Sequence, residues 1–160
     1  MESRRSSPSA STTTAVLNQL RIDELLAAIG ERTPAPASGA ATALTAALAA
    51  ALAELSARYA GNEGDAERAN ALAAELLRLG DADAAAYAAF MADRNDETRA
   101  EIVRIPEEIA GHADEVVALA RRAADELTTS VAGDARAATE LGSAAAGVAR
   151  GLADLNRAGS

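Results

Sequence analysis

The hydrophobic positions of this chain recur at helical rather than alternating spacing from Ala15 onward. Ile22, Leu25, Leu26 and Ile29 form an apolar stripe, and Gly30 followed by Thr33-Pro34-Ala35-Pro36 stops it, which predicts a first helix over about residues 15–30. Ser38-Gly39-Ala40 opens a second helix in which Leu44, Leu48, Leu52 and Leu55 recur with alanines between them until Gly61-Asn62. A third pattern starts near Asp65, carries Leu72, Leu76 and Leu79, and reaches Met91 as one long or kinked helix with Gly80 as its weak point. Arg94 to Thr98 reads as a turn. Ile105-Pro106-Glu107-Glu108 reads as the start of a fourth helix, with proline in the first turn and Ile109, Val116 and Ala120 on the buried face. Thr128 to Gly133 breaks the pattern, and Asp134 is placed to cap a fifth helix running to Asn156. No strand pattern, Asn-Gly hairpin or long repeat is present. The expected fold is all-α: a single-domain bundle of about five helices over residues 15–158, preceded by a Ser/Thr/Arg-rich tail, residues 1–14, expected to be disordered.

Composition narrows the chemistry. The chain has 160 residues, 24 acidic against 15 basic side chains and a net charge of −9. Such a surface repels phosphate backbones, so neither a nucleic-acid nor an anionic-membrane partner is expected, and small molecules or proteins remain. Cysteine is absent, which removes thiol nucleophiles and thiolate metal sites. More than a quarter of the residues are alanine, lysine is absent and aromatics make up 2%, so a stacking platform of rings is not expected either. The apolar run Ala40 to Ala53 falls short of the roughly 18 residues that a membrane span needs and reads as a buried helix. The tail has no apolar signal segment, and a cytoplasmic location is the expectation.

A few positions stand out for chemistry. The loop Pro34-Ala35-Pro36-Ala37-Ser38-Gly39-Ala40 sets small residues at a helix N-terminus, where free N–H groups can hold a carboxylate or carbonyl oxygen; an ordinary capped helix packed closely on a neighbour has the same composition. Asp83 lies on an alanine-rich helix. Facing inward, its carboxylate would be pushed into general-base range; facing outward, it is a solvated acid, the role expected of Asp81. His112, the only histidine, shares a face with Ile109 and Val116 and reads as a hydrogen-bonded core residue or a proton shuttle. With Glu115 as its only neighbouring ligand candidate, no metal site is expected. Tyr59 and Tyr87 read as core residues or as faces for a flat heterocycle, and Arg58 or Arg68 as solvated charges or receivers of a carboxylate tail.

The same loop resembles the Pro-x-Pro-Gly-Gly-Gly-Ser-Ala-Ala-Ala-Leu loop of the formiminotetrahydrofolate cyclodeaminase and methenyltetrahydrofolate cyclohydrolase family. Three further stretches match in order: Asp81-Ala82-Asp83-Ala84-Ala85-Ala86-Tyr87 resembles its Asp-x-Asp-Ala-x-Ala-Phe helix, Ile105-Pro106 its Val-Pro helix start, and Ser130 to Asn156 its last loop and helix. The resemblance covers about Ile22 to Arg157 and is that of a short, divergent member. Ala37 and Ser38 stand where the family has glycines, Ala40 replaces its serine, and Leu152 replaces one of two asparagines while Asn156 keeps the other.

The resemblance implies an enzyme acting on a C–N bond of a folate-bound one-carbon unit, with a tetrahydrofolate derivative as substrate, no separate cofactor, and a homodimer. It implies Asp83 as the proton-moving group; His112 stands where the family usually has an aliphatic residue and, as a proton shuttle, would be a catalytic group new to this chain. It also implies that Ala37, Ser38 and Gly39 position the ring, and that Tyr87, Asp134 and Asn156 contact the substrate. The altered loop leaves open a cyclase or C–N lyase acting on a different small molecule. A non-catalytic, ligand-binding helical dimer is the third reading.

Overall fold

The computed structural model describes residues 16–128 and 130–159. The tail expected to be disordered lies outside them. A 3₁₀ turn, Leu17–Gln19, leads into α1 (Ile22–Gly30), α2 (Ser38–Tyr59), α3 (Glu63–Ala92), α4 (Asp96–Glu126) and α5 (Ala132–Ala158), and the described residues hold no strand.

Alanine decides how these helices pack. On α2 the face carrying Ala43, Ala46, Ala49, Ala50 and Ala53 is fully buried, while Leu48 is 57% exposed and Leu55 also faces solvent. Small side chains let the backbones of α3, α4 and α5 close in on α2, which is the central helix. Larger core residues come from the neighbours: Leu72, Leu76 and Leu79 of α3, and Ile105, Ile109 and Val116 of α4. By length and composition α2 could cross a membrane; in the fold it packs against three other helices. Gly80 does not interrupt α3, and its bare Cα is where α2 passes, with Ala43 in contact distance of any added Cβ.

Three helix starts differ from expectation. The first helical segment is split, because the Glu24 carboxylate accepts the Arg21 N–H at 3.0 Å and starts a new helix at Ile22. Its stripe is also mostly unburied: Leu25 packs inward, but Ile22 is 78% exposed. Asp81 is not simply a solvated acid, since its Oδ1 accepts the Leu17 N–H at 2.6 Å and ties the entry segment to α3. The fourth helix begins at Asp96 rather than Ile105. Asn95 accepts the Thr98 N–H at 2.9 Å, and the Thr98 hydroxyl accepts the Asn95 N–H at 3.2 Å, a reciprocal cap that moves the start nine residues upstream. Pro106 therefore sits inside α4. Finally, Asp134 is not the cap of the fifth helix: Val131 holds that position, and Asp134 lies in the first turn, where its charge favours the helix dipole.

Candidate functional site

One cleft gathers most of the residues singled out in the sequence. It has a volume of about 220 Å³. The loop before α2 supplies Pro34 and Ala35, and the start of α2 supplies Ala37, Ser38 and Gly39; α3 supplies Asp83 and Tyr87; α4 supplies Pro106; and α5 supplies Leu152, Leu155 and Asn156. These are the C-terminal end of α5 and the N-terminal end of α2, so the two helices run antiparallel past the site.

Asp83 and Gly39 are fitted to each other. An added Cβ on Gly39 would meet Asp83 Oδ2 at 2.0 Å and Cγ at 2.3 Å, so the carboxylate occupies the space where any other residue would carry its side chain. That explains why this glycine persists where Ala37 and Ser38 do not. The first intrahelical bond of α2 is Ala41 N–H to the Ala37 carbonyl, at 3.1 Å, and no side chain caps the helix. The first turn's free amides and positive dipole end therefore lie beside the Asp83 carboxylate. Burial outweighs this and pushes the Asp83 carboxyl up to about 6, with no hydrogen-bonding partner among the described residues to oppose it. A carboxyl in that range can both accept and donate a proton near neutral pH.

Asn156 is held by a gap in α4. Pro106 has no N–H, so the Ile102 carbonyl four residues earlier loses its helical donor. Asn156 Nδ2 supplies one at 2.6 Å. The same pair thus explains how a proline is tolerated inside a helix and why the end of α5 is pinned against the cleft. Helical periodicity could not reveal this, but a proline inside the pattern together with an asparagine on another helix is the signal that could have.

Two predicted residues lie elsewhere. Asp134 is at the opposite end of α5 from Asn156, about 30 Å away at 1.5 Å per residue. His112 is 21% exposed, with Nε2 3.3 Å from Glu75 Oε2, about 12 Å along α3 from Asp83. The geometry brings neither to the cleft. Tyr87 lines it, whereas Tyr59 is well exposed. Arg58 and Arg68 are both occupied: Arg58 by Glu54 at 2.9 Å and Glu63 at 3.1 Å, and Arg68 by both oxygens of Glu115 at 2.6 and 2.7 Å. No cluster of three or more metal-ligating side chains occurs among the described residues.

The search of curated proteins finds no match to this chain. The family comparison does, with the formiminotransferase-cyclodeaminase family matching residues 21–158, a span that takes in every helix and both walls of the cleft. With the glycine under Asp83 and the family match over nearly all of the described residues, the chain belongs to the formiminotransferase-cyclodeaminase family.

Proposed function

We propose that this protein acts on a C–N bond of a folate-bound one-carbon unit, with Asp83 as the group that moves the proton. The observation carrying this reading is the Asp83 carboxyl set on Gly39, raised to about 6 by burial and facing a cleft. In the hydrolytic direction, Asp83 takes a proton from water as the oxygen adds to the methenyl carbon. The tetrahedral carbon then opens as the C–N bond breaks and the proton passes to the departing nitrogen. In the deaminating direction, an amine nitrogen attacks the formimino carbon, and the proton it sheds leaves with ammonia. Both routes place a cationic amidinium beside a carboxylate, which favours the charge-separated transition state. Asn156, Tyr87 and the Ala37-Ser38-Gly39 turn would hold the ring.

Purified protein is tested with methenyltetrahydrofolate, by loss of its near-ultraviolet absorbance, and with formiminotetrahydrofolate, by ammonia release, each against Asp83→Asn. Acceleration of either by wild type alone supports the reading. If neither responds, the side chains that Ala37 and Ser38 place in the cleft, together with Leu152, favour the same proton chemistry on another C–N substrate in a specialised pathway.

We also infer that a second copy of this chain covers the outer face of α2 and α5. Leu48 and Leu55 of α2 recur every seven residues, as do Leu141, Val148 and Leu155 of α5, and all five are exposed. The charged residues Arg150 and Arg157 turn to α4 instead, pairing with Asp114 and Glu107. The result is a row of exposed apolar side chains on two neighbouring helices, a face that can meet itself across a two-fold axis.

A further inference from the structure

At about 220 Å³ the Asp83 cleft is smaller than the roughly 300–1,000 Å³ of sites that enclose a whole ligand. It takes one end of a molecule and leaves the rest outside. The neighbouring surface beyond Tyr87 carries an arrangement that the chemistry at Asp83 does not use. The Tyr87 ring, which lines the cleft, lies 6.5 Å from the ring of Phe90, the only phenylalanine in the chain. Two guanidiniums sit against that ring: Arg94, from the turn after α3, at 5.5 Å, and Arg99, from the first turns of α4, at 5.7 Å.

Neither arginine has a carboxylate within ion-pair distance among the described residues, although the chain has 24 acidic side chains for 15 arginines. Asp93, Asp96 and Glu97 are neighbours in sequence, yet Asp93 instead accepts from Asn95 Nδ2 at 2.9 Å. Arg94 contacts the Met91 sulfur at 3.7 Å. Elsewhere Arg58, Arg68, Arg104 and Arg122 are each matched to acids. Stacking occupies the face of a guanidinium and leaves its in-plane N–H fork for a planar, two-oxygen acceptor. Arg99 also lines an open groove of about 450 Å³ together with Val103, Arg157 and the carboxylates of Asp96 and Glu107, of which Glu107 is paired with Arg157.

We propose that Arg94 and Arg99, held on Phe90, form a carboxylate-binding subsite for the anionic arm of the molecule whose reacting end lies at Asp83. This rests on the reading of the Asp83 cleft as a small-molecule site. It assigns the substrate two ends, an N–H-bearing head at a carboxylate and a carboxylate-terminated tail at a pair of cations. The two arginines that the sequence offered for such a tail, Arg58 and Arg68, are already neutralised.

The test measures binding of p-aminobenzoylglutamate, its dimethyl ester and inorganic phosphate to the full chain by calorimetry and amide chemical shifts. Wild type, Arg94→Gln, Arg99→Gln and, as a control on the exposed surface away from the cleft, Arg121→Gln are compared. Binding of the free acid should weaken about tenfold in either arginine variant of the pair and for the diester, stay unchanged in Arg121→Gln, and perturb amides around Phe90. Equal affinity across the variants overturns the subsite. Competition by phosphate as effective as the free acid reduces it to a general anion site and overturns the tail assignment. Because no turnover is read, loss of the folate reaction with arginine-dependent binding intact would sink the Asp83 reading alone, and the converse would sink only this one.

Discussion

Replacing Asp83 with asparagine keeps the shape of the side chain and removes its charge, so it measures what ionisation of that carboxyl costs the fold. The carboxyl is held at about 6 by burial, against 3.8 for an ordinary aspartate. The folded state therefore binds its proton more tightly than the unfolded state, and stability is fully present below about pH 4 and is lost as pH rises through 6. At 1.36 kcal/mol per unit, the full loss is about 3 kcal/mol above pH 7. Asp83→Asn escapes it. For a domain of this size, with 2–4 °C per kcal/mol, the variant should melt about 6–12 °C above wild type at pH 8 and close to it at pH 4. Thermal melts by circular dichroism at half-unit pH steps give the difference directly, and carboxylates held low by arginines, such as Asp65 by Arg122 and Glu115 by Arg68, cancel between the two proteins. A gap that does not change between pH 4 and 8, or a variant less stable at pH 8, would refute the argument.

Gly39→Ala should lower stability by about 1–3 kcal/mol, because its Cβ would collide with the Asp83 carboxyl, and Asp83→Ala in the same chain should restore most of the loss; chemical denaturation checks both. Asn156→Ala should cost about 1–3 kcal/mol by leaving the Ile102 carbonyl without a donor, and Pro106→Ala, which returns an N–H to that carbonyl, should erase much of the cost in a double-mutant cycle. Replacing Leu48 and Val148 by glutamate should convert dimer to monomer in sedimentation equilibrium with little change in helicity; a wild-type monomer at the same concentration would contradict the second-copy proposal.

What the sequence disclosed depended on the scale of the signal. The five helices were readable because leucine and isoleucine recur at helical spacing over many turns, and Ser38, Gly61-Asn62 and Gly30 mark boundaries that the structure keeps. The start of α4 was misplaced because proline at a first turn is a common pattern. The competing cap at Asn95 and Thr98 is equally local, and the donor that permits Pro106 lies on another helix. The leucines of α2 carry the helical spacing, yet alanine forms its fully buried face, where the backbones approach closely. In the cleft, Pro34, the Ala37-Ser38-Gly39 turn, Asp83, Tyr87, Pro106 and Asn156 lie in the family-like motifs, whereas Leu155, which no motif singled out, joins them only through tertiary contact. His112 shares a helical face with Ile109 and Val116, but at the helix edge that face meets Glu75 rather than the cleft.

The central claim is that Asp83 moves the proton. Its most direct test is the rate of methenyltetrahydrofolate hydrolysis from pH 5 to 8 for wild type and Asp83→Asn, corrected for the uncatalysed reaction. The account predicts a wild-type rate that rises with an inflection near 6, where the carboxyl ionises, and a variant that stays at background throughout. A wild-type rate above background without that inflection, or a variant that keeps it, would contradict the claim.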